Sequence, residues 1–233
     1  MRSIYLSIAA LIAVLVAASC TNEGYDTGDN GLSYITSEFA LLHTNADKVV
    51  NVATLDDGTE LKFSNPFTTK WVTKADTIYR ALVYYDKTED ASATVNARSL
   101  VNARSLVQVP VLGVMSADKI KEMHTDPLDI ESVWVAKNGS YINMSLLLKS
   151  GSTDGDNKQL VGLVLESEST DADGKRHVVL RMYHEQNSVP EYYTVQQYVS
   201  IDAKQLKADF VELRVNTYKG EVTKNITIDN VGK

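Results

Sequence analysis

The sequence predicts an all-β protein with two domains, and three observations support this prediction. From residue 32 onward, apolar and polar residues alternate with a period of two over most of the chain, as expected for half-buried strands. Turn dipeptides such as Asn138-Gly139 and Lys219-Gly220 separate the alternating runs and supply the positive φ that tight hairpins need. The length of 233 residues fits two domains of about 100 residues each. Helical candidates are confined to residues 116–124 and 203–208.

Four alternating runs show which residues are expected to face the core. They lie at residues 77–86, 141–149, 193–201 and 210–218. The inward-facing sets are Tyr79, Ala81, Val83 and Tyr85; Ile142, Met144, Leu146 and Leu148; Tyr193, Val195, Val199 and Ile201; and Val211, Leu213, Val215 and Thr217. Side chains two positions apart on a strand share one face, so each set forms one side of a sheet.

The first nineteen residues are predicted to be a lipoprotein signal peptide. Arg2 precedes an apolar run at residues 4–18, which is shorter than the roughly 20 residues of a membrane-spanning helix. Three small residues then lead into Cys20, the only cysteine of the chain. Small side chains before a cysteine resemble the bacterial lipobox, in which the thiol receives a diacylglycerol and the signal is cut just before the cysteine. We therefore expect Cys20 to be the mature N-terminus, with acyl chains such as palmitate anchoring it to a membrane.

Residues 20–31 are predicted to be an acidic, flexible tether between the lipid and the fold. The segment contains Glu23, Asp26 and Asp29, three glycines and one large apolar residue, Tyr25. In some Gram-negative anaerobes an acidic stretch after the lipidated cysteine directs export to the cell surface. The acids are spread out here, so the surface and the periplasmic face of the outer membrane both remain open.

The two domains are predicted at residues 32–115 and 127–233, with a connector at residues 116–126. Strand character stops at Met115, a polar stretch follows, and Pro127 precedes the next group of strands. The first domain contains a tandem repeat of the hexamer VNARSL at residues 95–106. Because six is even, the repeat is expected to lengthen a strand without exchanging its faces. The residues expected on one face are Val95, Ala97, Ser99, Val101, Ala103 and Ser105.

The composition argues against several functional classes. The chain has 23 basic and 30 acidic residues, a net charge of −7, which disfavours binding to nucleic acid. A single cysteine leaves no disulfide, and it rules out zinc sites built from cysteines. We predict no cofactor, no metal site and no catalytic residue. The four histidines, expected to be structural or at the surface because no two have a local metal-ligand spacing, are His43, His124, His177 and His184.

Two segments, at residues 154–157 and 171–174, resemble calcium loops only in part. The position after each segment, where such a loop needs Asp or Asn, holds Lys158 or Lys175. We therefore expect both segments to be turns.

Three further residues are candidates for modification or binding. Thr77, in the tripeptide Asp76-Thr77-Ile78, resembles the acceptor of periplasmic O-glycosylation in Gram-negative anaerobes. Tyr84 and Tyr192 each belong to a pair of adjacent tyrosines, in which one ring is expected to point inward and the other outward. Exposed tyrosines on a sheet bind sugars or proteins, whereas packing in the core is the alternative reading of the same residues.

The second half of the chain resembles the NigD-like lipoproteins of Gram-negative anaerobes. The resemblance rests on DPLDIESVWVAKNGSYINMSLLLK at residues 126–149, LRMYHEQNSVPEYYTVQQYVSI at residues 180–201 and VNTYKGE at residues 215–221, in this order behind a lipoprotein signal. It implies an N-terminal OB-type β-barrel and a C-terminal antiparallel β-sandwich. The family takes its name from a member in a bacteriocin gene cluster, and the resemblance implies no catalytic motif.

The sequence thus predicts a lipid-anchored, non-enzymatic binding protein of the outer membrane. The partner is expected to be a protein, a peptide or a glycan, because an OB barrel binds several ligand classes and the acidic balance disfavours nucleic acid. The alternatives are a hydrolase acting on envelope glycans through carboxylates that the sequence does not single out, and a purely structural envelope lipoprotein.

Overall fold

The computed structural model describes residues 35–87, 98–151 and 157–228 of the chain. Within these ranges the protein is all-β, as predicted, with thirteen strands. Cys20, the signal peptide, the tether and the first part of the VNARSL repeat lie outside the described residues.

The N-terminal strands form a barrel, as the resemblance implies, and it has five strands. The barrel is closed in the order β1-β2-β3-β5-β4, with β3 and β5 parallel. Its strands are β1 (Ile35–Thr44), β2 (Val50–Leu55), β3 (Glu60–Phe67), β4 (Ile78–Lys87) and β5 (Arg98–Gln108).

The C-terminal strands form two sheets, as the predicted sandwich requires. One sheet has the order β13-β12-β10-β9-β6 and the other β11-β8-β7. The strands are β6 (Val114–Ser116), β7 (Asp129–Val135), β8 (Tyr141–Ser150), β9 (Leu160–Thr170), β10 (Arg176–Glu185), β11 (Tyr193–Asp202), β12 (Phe210–Thr217) and β13 (Gly220–Thr227). The pairs β10–β12 and β6–β9 are parallel, so the larger sheet is mixed rather than purely antiparallel. After β10 the chain forms β11 in the other sheet before it returns as β12, and such a crossover allows parallel pairing.

The chain enters the sandwich earlier than the sequence suggests. Strand β6 pairs with β9 of the larger sheet, whereas the sequence predicts residues 114 and 115 in the barrel domain. The segment after β5 is bonded to both parts of the fold: the Val109 amide donates to the Arg80 carbonyl at 3.0 Å, and the Ser200 amide donates to the Pro110 carbonyl at 2.9 Å. A strand of three residues has too little alternation to reveal which sheet it joins. The described residues from Thr36 onward belong to one compact unit.

Both predicted helices are reduced to single turns. Residues Ala117–Lys119 form a 3₁₀ turn, and residues Ala203–Leu206 form a short helix, α1, whose first turn is capped by the Asp202 carboxylate. In the described part of the chain, no helix combines the length and the apolar character needed to cross a bilayer.

Most of the predicted inward-facing residues are buried, whereas Tyr79 and Val195 are partly buried. The barrel core and the sandwich core each contain the expected strand faces, represented by Val83 and by Leu146, both fully buried. Tyr193, by contrast, is 54% exposed. It pairs with Ser150 at the end of β8, beyond the packed part of the sheet.

A β-bulge interrupts the alternation of the repeat. Val101 and Ala103 are buried as predicted, but Ser105 is exposed and Leu106 is buried instead. The register between β4 and β5 shifts between Tyr84, which pairs with Ser105, and Tyr85, which pairs with Ala103. The extra residue reverses the faces of the strand beyond it, so the prediction for Ser105 was wrong.

Replacement of Leu146 by alanine is expected to lower the free energy of unfolding by about 2–5 kcal/mol, because the change leaves a cavity in the sandwich core. The matched control is Leu160→Ala, at a side chain that is 51% exposed in β9. The control is expected to cost less than about 1 kcal/mol. Urea denaturation of both variants measures the difference, and equal losses would contradict the assignment of the core.

Candidate functional site

A buried polar network joins the barrel to the sandwich. Arg80 on β4 forms a bidentate ion pair with Asp56, with Nη1–Oδ1 at 2.5 Å and Nη2–Oδ2 at 2.7 Å. Arg80 also donates to Asn143 Oδ1 on β8 at 2.9 Å and to Ser200 Oγ on β11 at 3.3 Å. The Arg80 side chain is 1% exposed, so its charge is compensated almost entirely by protein groups. We refer to Arg80, Asp56, Asn143 and Ser200 as the joint network.

The joint network is closed by bonds among its other members and by aromatic rings. Asn143 Nδ2 donates to Asp56 Oδ2 at 3.0 Å, and Ser200 Oγ donates to Asn143 Oδ1 at 2.7 Å. The Arg80 guanidinium carbon lies 4.2 Å from the centroid of the Tyr141 ring, a cation–π distance. Burial of Tyr141 raises the pKa of its hydroxyl.

Local sequence positions Asp56 for this contact. Asp56 begins the predicted turn Asp56-Asp57-Gly58, and Gly58 takes a φ of 88° that favours glycine. The Asp56 carbonyl accepts the Asn138 amide of the sandwich at 2.9 Å, so the backbone of the turn also crosses between the two parts.

Next to the joint network lies a cleft of about 400 Å³ between the barrel and the sandwich. Its aromatic wall centres on Phe39 of β1, whose ring lies 5.3 Å from that of Trp134 and 5.5 Å from that of Tyr198, both edge-on. The residues that line the cleft with polar, charged or aromatic side chains are Ser37, Glu38, Phe39, Asp56, Asp57, Tyr84, Trp134, Lys137 and Tyr198. We call this the joint cleft.

Two carboxylates at the edge of the joint cleft are not used by the joint network. Glu38 accepts a hydrogen bond from the Tyr85 hydroxyl at 3.2 Å. Asp57 accepts the backbone amide of Thr59 at 2.9 Å, and this bond lowers the pKa of the Asp57 carboxyl. Lys137 lies 3.9 Å from Asp57, but its side chain is 82% exposed, so the pair is weak.

A second, smaller pocket adjoins the joint cleft and is lined by residues of the barrel. It has a volume of about 250 Å³ and shares Glu38, Leu55 and Asp57 with the joint cleft. Burial raises the pKa of Tyr85, which lines this pocket, and the negative charges of Glu38 and Asp57 raise it further. Both carboxylates therefore act on one phenol and lie close to it.

The two candidate tyrosines, Tyr84 and Tyr192, lie in different surroundings. Tyr84 lines the joint cleft, and its neighbour Tyr85 is buried, as expected for an adjacent pair on a strand. Tyr192 is 79% exposed and Tyr193 is exposed as well, so the prediction for that pair was wrong. Tyr192 precedes β11 and is not subject to the alternation of a strand.

Thr77 lies just before β4 and is partly buried. Its hydroxyl donates to the Ala75 carbonyl at 2.9 Å, and its amide donates to Thr44 Oγ1 at 2.8 Å. Its role as a glycan acceptor stays a prediction.

The histidines are placed apart from the joint cleft. His184 is 1% exposed, with Nδ1 at 2.9 Å from the Asp126 carbonyl oxygen and Nε2 at 3.1 Å from Gln159 Oε1. His177 Nε2 lies 3.1 Å from Asp171 Oδ2, and this hydrogen bond lowers the pKa of Asp171. Asp171 closes the predicted turn through bonds from the amides of Asp173 and Lys175. Among the residues that the structure describes, no group of three His, Cys, Asp or Glu side chains is arranged to hold a metal ion.

Sequence reasoning missed the joint network and the aromatic wall. One signal was present: Arg80 interrupts an otherwise apolar strand face formed by Ile78, Leu82 and Tyr84. An arginine on such a face indicates a buried cation with a carboxylate partner. The sequence contains 30 acidic residues, so the pattern does not identify which of them is the partner.

Residues 110–229 match the sequence pattern of the NigD-like C-terminal beta sandwich domain, and the match spans just over half of the 233-residue chain. The chain belongs to the NigD-like family. The resemblance found in the sequence is thereby confirmed. Within the matched range lie Trp134, Asn143, Tyr198 and Ser200, which form the sandwich side of the joint cleft and network. No curated protein matches the chain closely enough for comparison.

Solved structures of similar fold come from species of Bacteroides. A NigD-like immunity protein from Bacteroides caccae is 19% identical, with a TM-score of 0.63 over 83% of this chain and 97% of its own. A protein of unknown function from Bacteroides vulgatus is 17% identical, with a TM-score of 0.63 over 85% of this chain and 92% of its own. A Bacteroides fragilis protein provisionally described as a lipoprotein is 13% identical, with a TM-score of 0.59 over 84% of this chain and 100% of its own. The shared fold thus extends beyond the matched sandwich domain.

Replacement of Asp56 by asparagine is expected to lower the free energy of unfolding by about 3–5 kcal/mol, because the buried Arg80 loses its counter-charge. The matched control is Asp57→Asn, at the adjacent and more exposed carboxylate, which is expected to cost less than about 1 kcal/mol. Urea denaturation measures both. A loss at position 57 as large as that at position 56 would contradict the assignment of the ion pair.

Alkaline pH is expected to destabilise the NigD-like fold through its buried tyrosines. The pKa of Tyr85 is raised in the folded protein from its ordinary value of 10.0, so the folded state holds this proton more tightly than the unfolded state does. The stabilisation is complete below pH 10 and is lost as the pH rises further. In urea denaturation between pH 10 and pH 12, Tyr85→Phe should lose stability less steeply than the wild type. Parallel slopes would contradict the prediction.

Proposed function

We propose that this NigD-like chain is a lipid-anchored, non-enzymatic binding protein of the cell envelope, and that it holds its partner in the joint cleft. The observation that carries the proposal is the cleft itself: an aromatic wall and two carboxylates at a junction that a buried ion pair holds in place.

The size and lining of the joint cleft support a binding role. Its volume of about 400 Å³ falls in the range of small-ligand and side-chain pockets. Trp134, Tyr198 and Tyr84 offer large aromatic surfaces, and such rings are enriched where proteins bind partners. The barrel and the sandwich both contribute to the walls, and the joint network keeps the two sides in a fixed arrangement, so little order has to be gained on binding.

The envelope location rests on the sequence and on family membership. Cys20 follows a short apolar segment and small residues, as in the bacterial lipobox. The Bacteroides fragilis protein of the same fold is provisionally described as a lipoprotein. We place the chain at the outer membrane, with the membrane face left open between the surface and the periplasm.

A narrower form of the proposal concerns immunity. The Bacteroides caccae relative is described as a NigD-like immunity protein. The resemblance found in the sequence also implies an association with a bacteriocin gene cluster, through the family name alone. An immunity protein binds a toxin or its target without catalysis, which agrees with a binding cleft at the envelope.

A glycan hydrolase is the second candidate, because Glu38 and Asp57 share the joint cleft with Tyr84. Retaining and inverting glycosidases need one carboxylic acid with a raised pKa as the proton donor. The pKa of Asp57 is lowered by the Thr59 amide, which is the opposite direction and unsuited to a proton donor. We therefore rank this candidate below binding.

Photo-crosslinking in living cells tests the joint cleft as the binding surface. A benzoylphenylalanine residue replaces Tyr84 in the cleft or, in the matched variant, Tyr192 outside it. Irradiation is expected to give a discrete adduct from position 84 and none from position 192. An adduct from position 192 alone would move the binding surface to the start of β11 and contradict the proposal.

The change Cys20→Ala is expected to abolish acylation and release the protein from the membrane, because it removes the thiol that takes the lipid. Labelling with an alkyne fatty acid and fractionation of the membranes measure both effects. The control is Ser19→Ala, which keeps a small residue before the cysteine. Labelled, membrane-bound protein in the Cys20→Ala variant would show that the anchor lies elsewhere.

A further inference from the structure

We infer that the joint cleft takes a basic side chain, arginine in preference to lysine, from an extended peptide segment of its partner. The inference rests on the proposed function, since it specifies the chemistry of the partner bound in the same cleft.

The charges at the edge of the cleft favour a cation. Glu38 has the Tyr85 hydroxyl as its hydrogen-bond partner, and in the described part of the chain no lysine or arginine lies within ion-pair distance of it. The Thr59 amide lowers the pKa of Asp57, and among the described residues the cation paired with Asp57 is the exposed Lys137, at 3.9 Å. Asp56 is fully engaged by Arg80. Two carboxylates thus remain available to a ligand.

The aromatic rings of the cleft add a second contribution that favours a cation over a neutral group. Tyr84, Trp134 and Tyr198 line the same cavity as Glu38 and Asp57. A guanidinium bound to a carboxylate and lying over an aromatic face gains both the ion pair and the cation–π attraction. Its planar fork and weaker hydration suit it to such a site better than an ammonium group.

The protein already holds one guanidinium in this way. Arg80 pairs with Asp56 while its guanidinium carbon lies 4.2 Å from the Tyr141 centroid and 5.3 Å from the Phe39 centroid. The Phe39 ring contacts Arg80 and also the rings of Trp134 and Tyr198 in the joint cleft. A ligand arginine in the cleft would meet the same combination of groups, a carboxylate and aromatic rings.

The adjoining pocket indicates an extended segment rather than a single small molecule. The second pocket shares Glu38, Leu55 and Asp57 with the joint cleft and adds about 250 Å³ along the barrel. The carboxylates therefore lie at the point where the two cavities meet. A peptide whose basic side chain reaches this point has room for its neighbouring residues on either side.

Fluorescence of Trp134 tests the inference directly. The protein has two tryptophans, so the background change Trp71→Phe leaves Trp134 as the reporter in the cleft. The probe is a capped glycine-rich peptide with two arginines, compared with the same peptide carrying lysine or the neutral isostere citrulline, and with a neutral maltohexaose. We expect the arginine peptide to change the emission and the citrulline peptide to bind about tenfold more weakly or not at all. Binding should weaken as salt is raised.

Variants without the charges of Glu38 and Asp57 test whether these two carboxylates bind the arginine peptide. The double variant Glu38→Gln with Asp57→Asn should weaken binding of the arginine peptide by about tenfold or more. The control is Glu122→Gln, at an acid whose side chain is 79% exposed and that does not line the cleft, and its affinity should equal that of the parent. The double variant is folded if its circular dichroism spectrum and its midpoint of urea denaturation equal those of the parent.

The outcomes separate this inference from the proposed function. Equal binding of the arginine and citrulline peptides, or loss of affinity in the control as large as in the double variant, overturns the preference for a cation. Binding of maltohexaose without the arginine peptide overturns it in favour of a neutral glycan in the same cleft. No response to the arginine peptide at millimolar concentration also overturns it. In each case a photo-crosslinked adduct from benzoylphenylalanine at position 84 would still support the joint cleft as the binding surface. The absence of that adduct would contradict the proposed function itself.

Discussion

The arrangement of the fold depends on one buried interaction, the ion pair between Arg80 and Asp56. A guanidinium that is nearly removed from water must find hydrogen-bond acceptors in the protein, and the cost of leaving it unpaired is several kcal/mol. The barrel supplies one carboxylate, and the sandwich supplies Asn143 and Ser200. The acceptors therefore have to come from both parts of the chain, which favours the one arrangement that brings them together.

Two adjacent acids illustrate how position decides chemical use. Asp56 and Asp57 follow one another in the same turn, yet Asp56 turns inward to Arg80 and Asp57 stays at the edge of the joint cleft. The charge of Asp56 is compensated by Arg80 in the joint network. The charge of Asp57 is held in place by the Thr59 amide and remains directed at the cavity.

The outer face of the larger sandwich sheet shows the contrasting case. Arg181 pairs there with Glu166 and Glu221, and Arg214 pairs with Glu166 and Glu212. These charges compensate one another across neighbouring strands, and exposed pairs of this kind contribute little individually. The hydrogen bonds that Arg181 donates to Glu166 and Glu221 raise the pKa of Arg181, and the bond to Glu221 lowers the pKa of Glu221. The charges of this face are paired within it, whereas among the described residues no lysine or arginine lies within ion-pair distance of Glu38 at the joint cleft.

The sequence alone determined the all-β class and most inward-facing residues, because the apolar residues of a half-buried strand recur with a period of two. The barrel was implied by the resemblance to the NigD-like lipoproteins, which also indicated the family. The sequence also nominated Tyr84, which lines the cleft. It did not determine the parallel pairs of the sandwich, the bulge that exposes Ser105 or the exposure of Tyr193, since these depend on which strands become neighbours and where a sheet ends. The joint network and the aromatic wall were decided only by the tertiary structure. Their members, from Phe39 to Ser200, are far apart in the chain. A local sequence pattern does not predict contacts between them, because these contacts form only when strands of the barrel and the sandwich pack together.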